Sequence, residues 1–225
     1  MEYSFYGLRR SGNHAILEWL TINLGQSTKR EVVKKNRIIS YNNACYMNEV
    51  NTYNEIDIKR DIKFCKENYN NLITSFEDVT PDFDIEETIK FKKIAIIRDI
   101  ENLFASRYKR WLDTGIKGME IDEEIIKKWK IISDCEKNGV LLIKFENWVT
   151  SKDYRNNICE KLKIKNLDII DTITNFGNGS SFSGRKLPSV EELINRKKQI
   201  QLPKETTNRL KSKDITEIRR KLGYI

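Results

Sequence analysis

The first segment that could carry chemistry is residues 7–14, G-L-R-R-S-G-N-H. Gly7 and Gly12 are separated by four residues, which is the spacing of the phosphate-binding P-loop pattern G-x-x-x-x-G-K-[ST]. Glycines let successive N–H groups point at one anion, and the start of a following helix adds partial positive charge. The segment therefore predicts an anion cradle.

The same segment departs from the P-loop pattern at two positions. Asn13 stands where a lysine would bind phosphates, and His14 stands where Ser or Thr would ligate Mg²⁺. Positive charge comes earlier in the loop instead, from Arg9 and Arg10. These departures disfavour an ATP or GTP hydrolase and predict a site that uses no metal.

A second candidate anion ligand is Arg98, which follows the buried strand predicted at residues 93–97. An arginine at the end of a buried strand needs an anion or an ion pair. An ion pair with Asp99 or Glu101 explains the residue equally well. Ser106 follows eight residues later, on the helix that residues 100–114 predict.

Together, these segments resemble the nucleotide-binding elements of sulfotransferases that use 3′-phosphoadenosine 5′-phosphosulfate (PAPS). The family's 5′-phosphosulfate loop, a basic residue followed by S-G-T-T, is similar to R-S-G-N-H at residues 10–14. The Arg98 and Ser106 pair has the spacing of the family's 3′-phosphate element. Residues 145–148, F-E-N-W, are similar to an acidic turn of the family, and residues 176–186 to its Gly-, Arg- and Lys-containing C-terminal loop.

The resemblance implies metal-independent transfer of a sulfuryl group from PAPS to an acceptor hydroxyl or amine, with 3′,5′-adenosine bisphosphate (PAP) as product. Arg10 would stabilise the bridging oxygen. Phe182 is the predicted stacking partner of the adenine. The other implied nucleotide contacts are Arg9, Ser11, Gly12, Asn13, His14, Arg98, Ser106, Gly184, Arg185 and Lys186.

The transfer needs a base for the acceptor proton, and two residues compete for this role. Glu77 follows the predicted strand 72–76, and a carboxylate is a workable base if burial raises its pKa. An exposed acidic turn before Pro81 explains Glu77 and Asp78 equally well. His14, the single histidine, is the alternative base. We favour Glu77.

The surrounding pattern predicts an α/β fold: a single domain over residues 1–225 with a parallel sheet flanked by helices on both faces. Predicted strands at 3–6, 72–76, 93–97 and 140–145 alternate with helical segments, and ligands in such sheets bind at the carboxyl ends of strands. Residues 27–71 suggest only a short strand at 37–41 and a helix near 57–70. Residues 187–225 form a basic helical extension, with capping boxes at Ser189–Glu192 and Asp214–Glu217. The four tryptophans are predicted to lie in the core.

Net charge, cysteine spacing and the distribution of apolar residues limit the partners and the compartment that the sequence predicts. The net charge is +8, and residues 185–225 carry 12 basic and five acidic side chains, so the basicity is mostly C-terminal. The four cysteines have no metal-ligand spacing and predict reduced, buried thiols of a cytoplasmic protein. The sequence contains no run of about 20 apolar residues, so it predicts no membrane span.

The acceptor is expected to be a small molecule or a saccharide, and nucleic acid is a disfavoured partner. Three alternatives stay open: a small-molecule kinase with a degenerate P-loop, a basic nucleic-acid-binding module without catalysis, and a PAPS-binding protein without its base. Strong salt dependence of binding would indicate the nucleic-acid-binding module.

Overall fold

The fold is built on one seven-stranded sheet in the computed structural model, which describes residues 1–33, 37–115, 122–170 and 189–225. The strands are β1 (Glu2–Gly7), β2 (Arg30–Val33), β3 (Ile38–Tyr41), β4 (Ala44–Met47), β5 (Asn71–Glu77), β6 (Lys92–Ile97) and β7 (Leu141–Lys144). Their order in the sheet is β2-β3-β4-β5-β1-β6-β7, and the five strands β4, β5, β1, β6 and β7 are parallel to one another. The predicted α/β class and parallel central sheet are confirmed.

One edge of the sheet differs from the prediction. Pairing is antiparallel between β2 and β3 and between β3 and β4, where the sequence predicted only one short strand. The turn between β3 and β4 is two residues long, and Asn42 adopts a left-handed φ of 54° there. Asn is one of the few residue types that tolerate this conformation, which allows a tight hairpin without glycine.

Helices cover both faces of the sheet, as predicted. They are α1 (Asn13–Gly25), α2 (Glu55–Asn68), α3 (Ile100–Thr114), α4 (Glu123–Ser133), α5 (Phe145–Thr150), α6 (Lys152–Leu162), α7 (Val190–Ile194), α8 (Lys204–Leu210) and α9 (Lys213–Leu222). Alternate side chains of β1 show the two layers. Tyr3 and Phe5 pack under α1, α5 and α6, whereas Tyr6 packs under α2, α3 and α4.

The helix starts test the predicted caps. The capping box at Ser189 and Glu192 is confirmed, with both reciprocal hydrogen bonds present. The predicted cap at Asp214 is wrong, because α9 starts one residue after Ser212. Asp214 lies inside the first turn, where its carboxylate accepts a hydrogen bond from the Ser212 hydroxyl. An acid in the first turn also stabilises the helix dipole.

Three of the four tryptophans are buried, but Trp111 is not. Its side chain is 40% exposed near the end of α3 and stacks on Tyr108. The prediction that it lies in the core is therefore wrong. Helical spacing placed it beside Leu103 and Phe104, but α3 extends beyond the layer that covers those residues.

The described part of the C-terminal extension packs on the sheet domain. The Arg219 guanidinium on α9 donates to both carboxylate oxygens of Asp99 and of Glu101, at 2.7–3.2 Å. Lys144, at the end of β7, donates to the carbonyl of Leu222. Among the described residues, no helix combines the length and the apolar character that a membrane crossing requires.

Candidate active site at the carboxyl ends of three central strands

The central position of β1 brings three predicted segments together. It lies between β5 and β6 and is parallel to both. Parallel strands end at the same edge of a sheet, so the 7–12 loop, Glu77 and Arg98 become neighbours. Gly7 and Glu77 are direct register partners. The carboxyl edge of the sheet is therefore the candidate site, as expected for this architecture.

The loop between β1 and α1 depends on its two glycines. A Cβ on Gly7 would lie 2.1 Å from Oδ1 of Asn13, and one on Gly12 would lie 2.3 Å from the Phe145 ring. Gly12 also has a φ of 98°, which L side chains rarely adopt. Both glycines are thus required by close packing, and α1 begins directly after the loop with its N-terminal N–H groups at the cradle.

Arg10 adopts a left-handed φ of 75° within this loop. Such a conformation costs a non-glycine residue about 1–2 kcal/mol. It directs the guanidinium toward α3, where Nε donates to Oγ of Ser106 at 3.3 Å. The strained loop conformation and the Ser106 contact together fix the position of this cation.

Ser106 is the meeting point of two arginines. Its fully buried hydroxyl oxygen accepts from Arg10 and also from Nη1 of Arg196, at 3.1 Å. Both acceptor positions of the hydroxyl are then used, and in the described part of the chain no acceptor is seen for its proton. A ligand oxygen at this position could accept a hydrogen bond from the hydroxyl.

The positive charges around Ser106 repel one another. Burial, followed by the charges of Arg98 and Arg10, lowers the pKa of Arg196. Burial, followed by the charges of Arg110 and Arg98, lowers the pKa of Arg10 to about 10. A bound anion would relieve this repulsion, so the charge and the geometry of the cluster are both suited to an anion.

Arg98 connects the cradle to the C-terminal segment. Its side chain is 1% exposed, and Nη1 donates to the Arg10 carbonyl at 3.1 Å. Nη2 donates to the carbonyl of Leu193, and Nε lies 3.7 Å from Oε1 of Glu146. The alternative ion pair expected from sequence, with Asp99 or Glu101, is wrong, because those acids pair with Arg219 and Lys197.

The predicted base, Glu77, is buried rather than part of an exposed turn. Oε1 accepts from Nδ2 of Asn13 at 2.9 Å, and Oε2 accepts from Nε of Arg9 at 3.3 Å. Burial raises the pKa of this carboxyl, and the hydrogen bond from Asn13 partly opposes that effect. Asp78 has a different role, since its carboxylate accepts from the Arg9 N–H and from Arg107 and holds the loop.

The rival base, His14, lies close to Glu77. Its Nε2 is 4.0 Å from Oε1 of Glu77. Burial lowers the pKa of His14 to about 4, so the imidazole is neutral at pH 7. Glu49, in the turn after β4, completes this group, because one ligand atom from each of the three residues lies within 4.8 Å of the others.

Two site residues were missed in the sequence. Arg196 belongs to the basic run 196–198, and only the capping-box helix α7 before it indicated that this segment is structured. Glu49 lies in a stretch where no motif was recognised. The predicted contacts Phe182, Gly184, Arg185 and Lys186 fall within residues 171–188, outside the described residues.

Comparisons with known proteins give similarity in structure but not in sequence families. No protein-family model matches the chain, and no curated protein matches it. Among solved structures, the chain is similar to retinol dehydratase in a complex with retinol and PAP, with a TM-score of 0.39 and 10% sequence identity. The similarity covers 93% of this chain and 63% of the length of that protein.

Proposed function

We propose that this protein is a PAPS-dependent sulfotransferase that transfers a sulfuryl group to a hydroxyl or amine of a small-molecule or saccharide acceptor. The observation that carries the proposal is that Arg10, from the glycine loop, and Arg196 both donate hydrogen bonds to the Ser106 hydroxyl on α3. PAPS carries a separate 3′-phosphate in addition to its 5′-phosphosulfate, and two adjacent anion sites suit these two groups.

The cradle would hold the 5′-phosphosulfate. The N–H groups at the start of α1, at residues 12–14, and the guanidinium of Arg10 would bind its oxygens. The buried Ser106 hydroxyl and Arg196 would bind the 3′-phosphate. Arg98 would act by fixing the Arg10 carbonyl and the Leu193 carbonyl, and so by holding the two sites at a constant separation.

The proposed reaction is an in-line displacement at sulfur. The acceptor oxygen forms a new bond to sulfur while the bond between sulfur and the bridging phosphate oxygen breaks. That oxygen leaves with the electron pair as part of PAP, and Arg10 stabilises its charge. The acceptor proton passes to the Glu77 carboxylate, which Asn13 and Arg9 orient.

The described C-terminal segment belongs to this proposed site. Arg196 supplies a ligand, and Arg219 ties α9 to the start of α3, which carries Ser106. We therefore also propose that residues 1–225 act as a single domain, in which the basic extension closes the nucleotide site.

The test is calorimetric titration of the EDTA-treated full chain with PAP, 5′-AMP and ATP–Mg²⁺. Hydrogen bonds to charged groups contribute about 1.5–3 kcal/mol each, so the 3′-phosphate should raise affinity for PAP over 5′-AMP by about 100-fold. A preference for ATP–Mg²⁺, or no nucleotide binding, would overturn the proposal. A transfer assay with PAPS and a saccharide panel would then identify the acceptor class.

A further inference from the structure

The group formed by His14, Glu49 and Glu77 combines residue types that ligate transition metals. Imidazole nitrogen suits Zn²⁺, Fe²⁺ and Mn²⁺, and carboxylates complete such sites. One ligand atom of each residue lies within 4.8 Å of the other two, and none of the three belongs to the arginine cluster that Arg10, Arg98 and Arg196 form around Ser106. We propose that these three residues form a binding site for a divalent transition-metal ion.

The position of His14 in the loop supports this site independently of the distances. In P-loop proteins, Mg²⁺ is held by the Ser or Thr that ends the loop pattern and by an acid at the end of another strand. His14 occupies the first of these positions, and Glu77 lies at the end of β5, in register with Gly7. Imidazole replaces hydroxyl, which changes the preferred ion from Mg²⁺ to a transition metal.

The contacts of Glu77 are those of an oriented metal ligand. Asn13 and Arg9 each occupy one lone pair of the carboxylate, on different oxygens. A carboxylate has about four such positions, so Oε1 keeps a lone pair for an ion on the side of His14. Outer hydrogen bonds of this kind fix the orientation of ligands in metal sites.

Asn51 holds the turn that contains Glu49 next to the backbone of Glu77. Its side-chain amide donates to the Glu77 carbonyl at 3.0 Å, and its Oδ1 accepts from the Glu77 N–H at 3.1 Å. Glu49, two residues earlier, has a left-handed φ of 46° and is partly exposed. Its side chain can therefore change rotamer while its backbone is held at the site.

The distances between the three ligand atoms need to shorten only slightly for a metal ion to bind. Two ligands at about 2.1 Å from Zn²⁺ in tetrahedral geometry are about 3.4 Å apart. The separation of His14 and Glu77 is already 4.0 Å. Movement of the Glu49 side chain would close the remaining distance, and three protein ligands would leave one position for water or a hydroxyl.

Both arginines and carboxylates surround the proposed metal site. Asp78 accepts from Arg107 and from the N–H of Arg9, whose Nε lies between Asp78 at 3.6 Å and Glu77 at 3.3 Å. The Arg10 guanidinium also acts on Glu77. The carboxylates of Glu49 and Glu77 lie close together, and a cation bound between them would offset their mutual repulsion.

The experiment is calorimetric titration of the EDTA-treated full chain with ZnCl₂, without nucleotide. We expect one Zn²⁺ per chain and much weaker binding of Mg²⁺. Loss of an outer partner of a metal ligand already costs about 10–100-fold, so Glu49→Gln and His14→Gln should each weaken Zn²⁺ binding at least about 100-fold. Glu160→Gln, at an exposed position on α6, is the matched control and should bind as the parent does.

Cysteine thiols are the competing Zn²⁺ ligands, and Co²⁺ distinguishes them. Nitrogen and oxygen ligands give visible d–d bands without the intense near-ultraviolet thiolate band. A thiolate band, no Zn²⁺ binding, or unchanged affinity in both Glu49→Gln and His14→Gln would overturn the proposal. PAP titration and PAPS transfer by the EDTA-treated chain examine the arginine cluster and the metal-free Glu77 carboxylate instead, so the metal site and the sulfotransferase function can fail separately.

Discussion

Nη1 of Arg196 lies 3.1 Å from Oγ of Ser106, although the two residues are 90 positions apart in the chain. Ser106 is fully buried on α3, and Arg196 follows α7 in the C-terminal extension. Arg10, from the glycine loop, donates to the same hydroxyl, so the three residues form one cluster. The contact between Arg196 and Ser106 is the relationship on which the proposed 3′-phosphate site depends.

Removal of this guanidinium should affect one phosphate of the nucleotide. We predict that Arg196→Met lowers PAP affinity roughly 10- to 100-fold, because hydrogen bonds to a charged group are lost. Affinity for 5′-AMP, which has no 3′-phosphate, should stay unchanged. Arg220→Met, at an exposed position on α9, is the control. An equal loss of affinity for both nucleotides would contradict the assignment.

Arg98 should be important for stability as well as for binding. Breaking a buried ion pair by removing one partner costs about 3–5 kcal/mol, since the other charge stays buried alone. Arg98→Met should therefore lower the free energy of unfolding by about 3 kcal/mol or more in urea titrations, and PAP affinity should fall with it. Adding Glu146→Gln to that variant should recover part of the stability, because no buried charge is then left unpaired.

If the double variant were no more stable than Arg98→Met, the cost would come from the hydrogen bonds to the Arg10 and Leu193 carbonyls instead. Circular dichroism of both variants before titration checks that they are folded. PAP binding unchanged in a folded Arg98 variant would show that the guanidinium is dispensable for positioning the cradle.

Glu77→Gln separates binding from proton transfer. The amide keeps the shape of the side chain and can still accept from Asn13, so PAP affinity should stay within about two-fold of the parent. A positioned base contributes roughly 10²–10⁴-fold to rate, so turnover with PAPS should fall by at least about 100-fold. Full activity in this variant would assign the base role to His14.

Acidification should loosen the contact between α9 and α3. Burial raises the pKa of Glu101, but the hydrogen bonds and charges of Lys197 and Arg219 outweigh this effect and lower it overall. A carboxyl whose pKa is lower in the folded chain stabilises it above the unfolded pKa of about 4.3, and this contribution is lost as pH falls through the folded value.

Glu101→Gln should therefore lower the free energy of unfolding at pH 7 by about 1 kcal/mol, a value reduced for partial solvent screening. The difference between the variant and the parent should shrink as urea titrations move from pH 5 toward pH 3. A difference that is constant over this range would show that the Glu101 carboxylate charge does not stabilise the contact with Arg219.

Local sequence determined the elements of the site and their order along the chain. Glycine spacing predicted the loop at residues 7–12, apolar runs predicted β1, β5, β6 and β7, and helical periodicity predicted α1, α3 and α4. These signals are short-range, because each depends on residues that repeat within one strand or one helix. The α/β class followed from their alternation.

Tertiary structure decided which side chains meet at the site. Arg196 and Ser106, and likewise Glu49 and Glu77, are joined by strand order and by packing of the C-terminal extension, which no local pattern encodes. Whether Glu77 is exposed or buried also depended on distant residues, namely Arg9, Asn13 and Asn51. Burial and charge pairing are properties of the packed chain. The sequence therefore identified the candidate residues, whereas the tertiary structure determined which residues they contact.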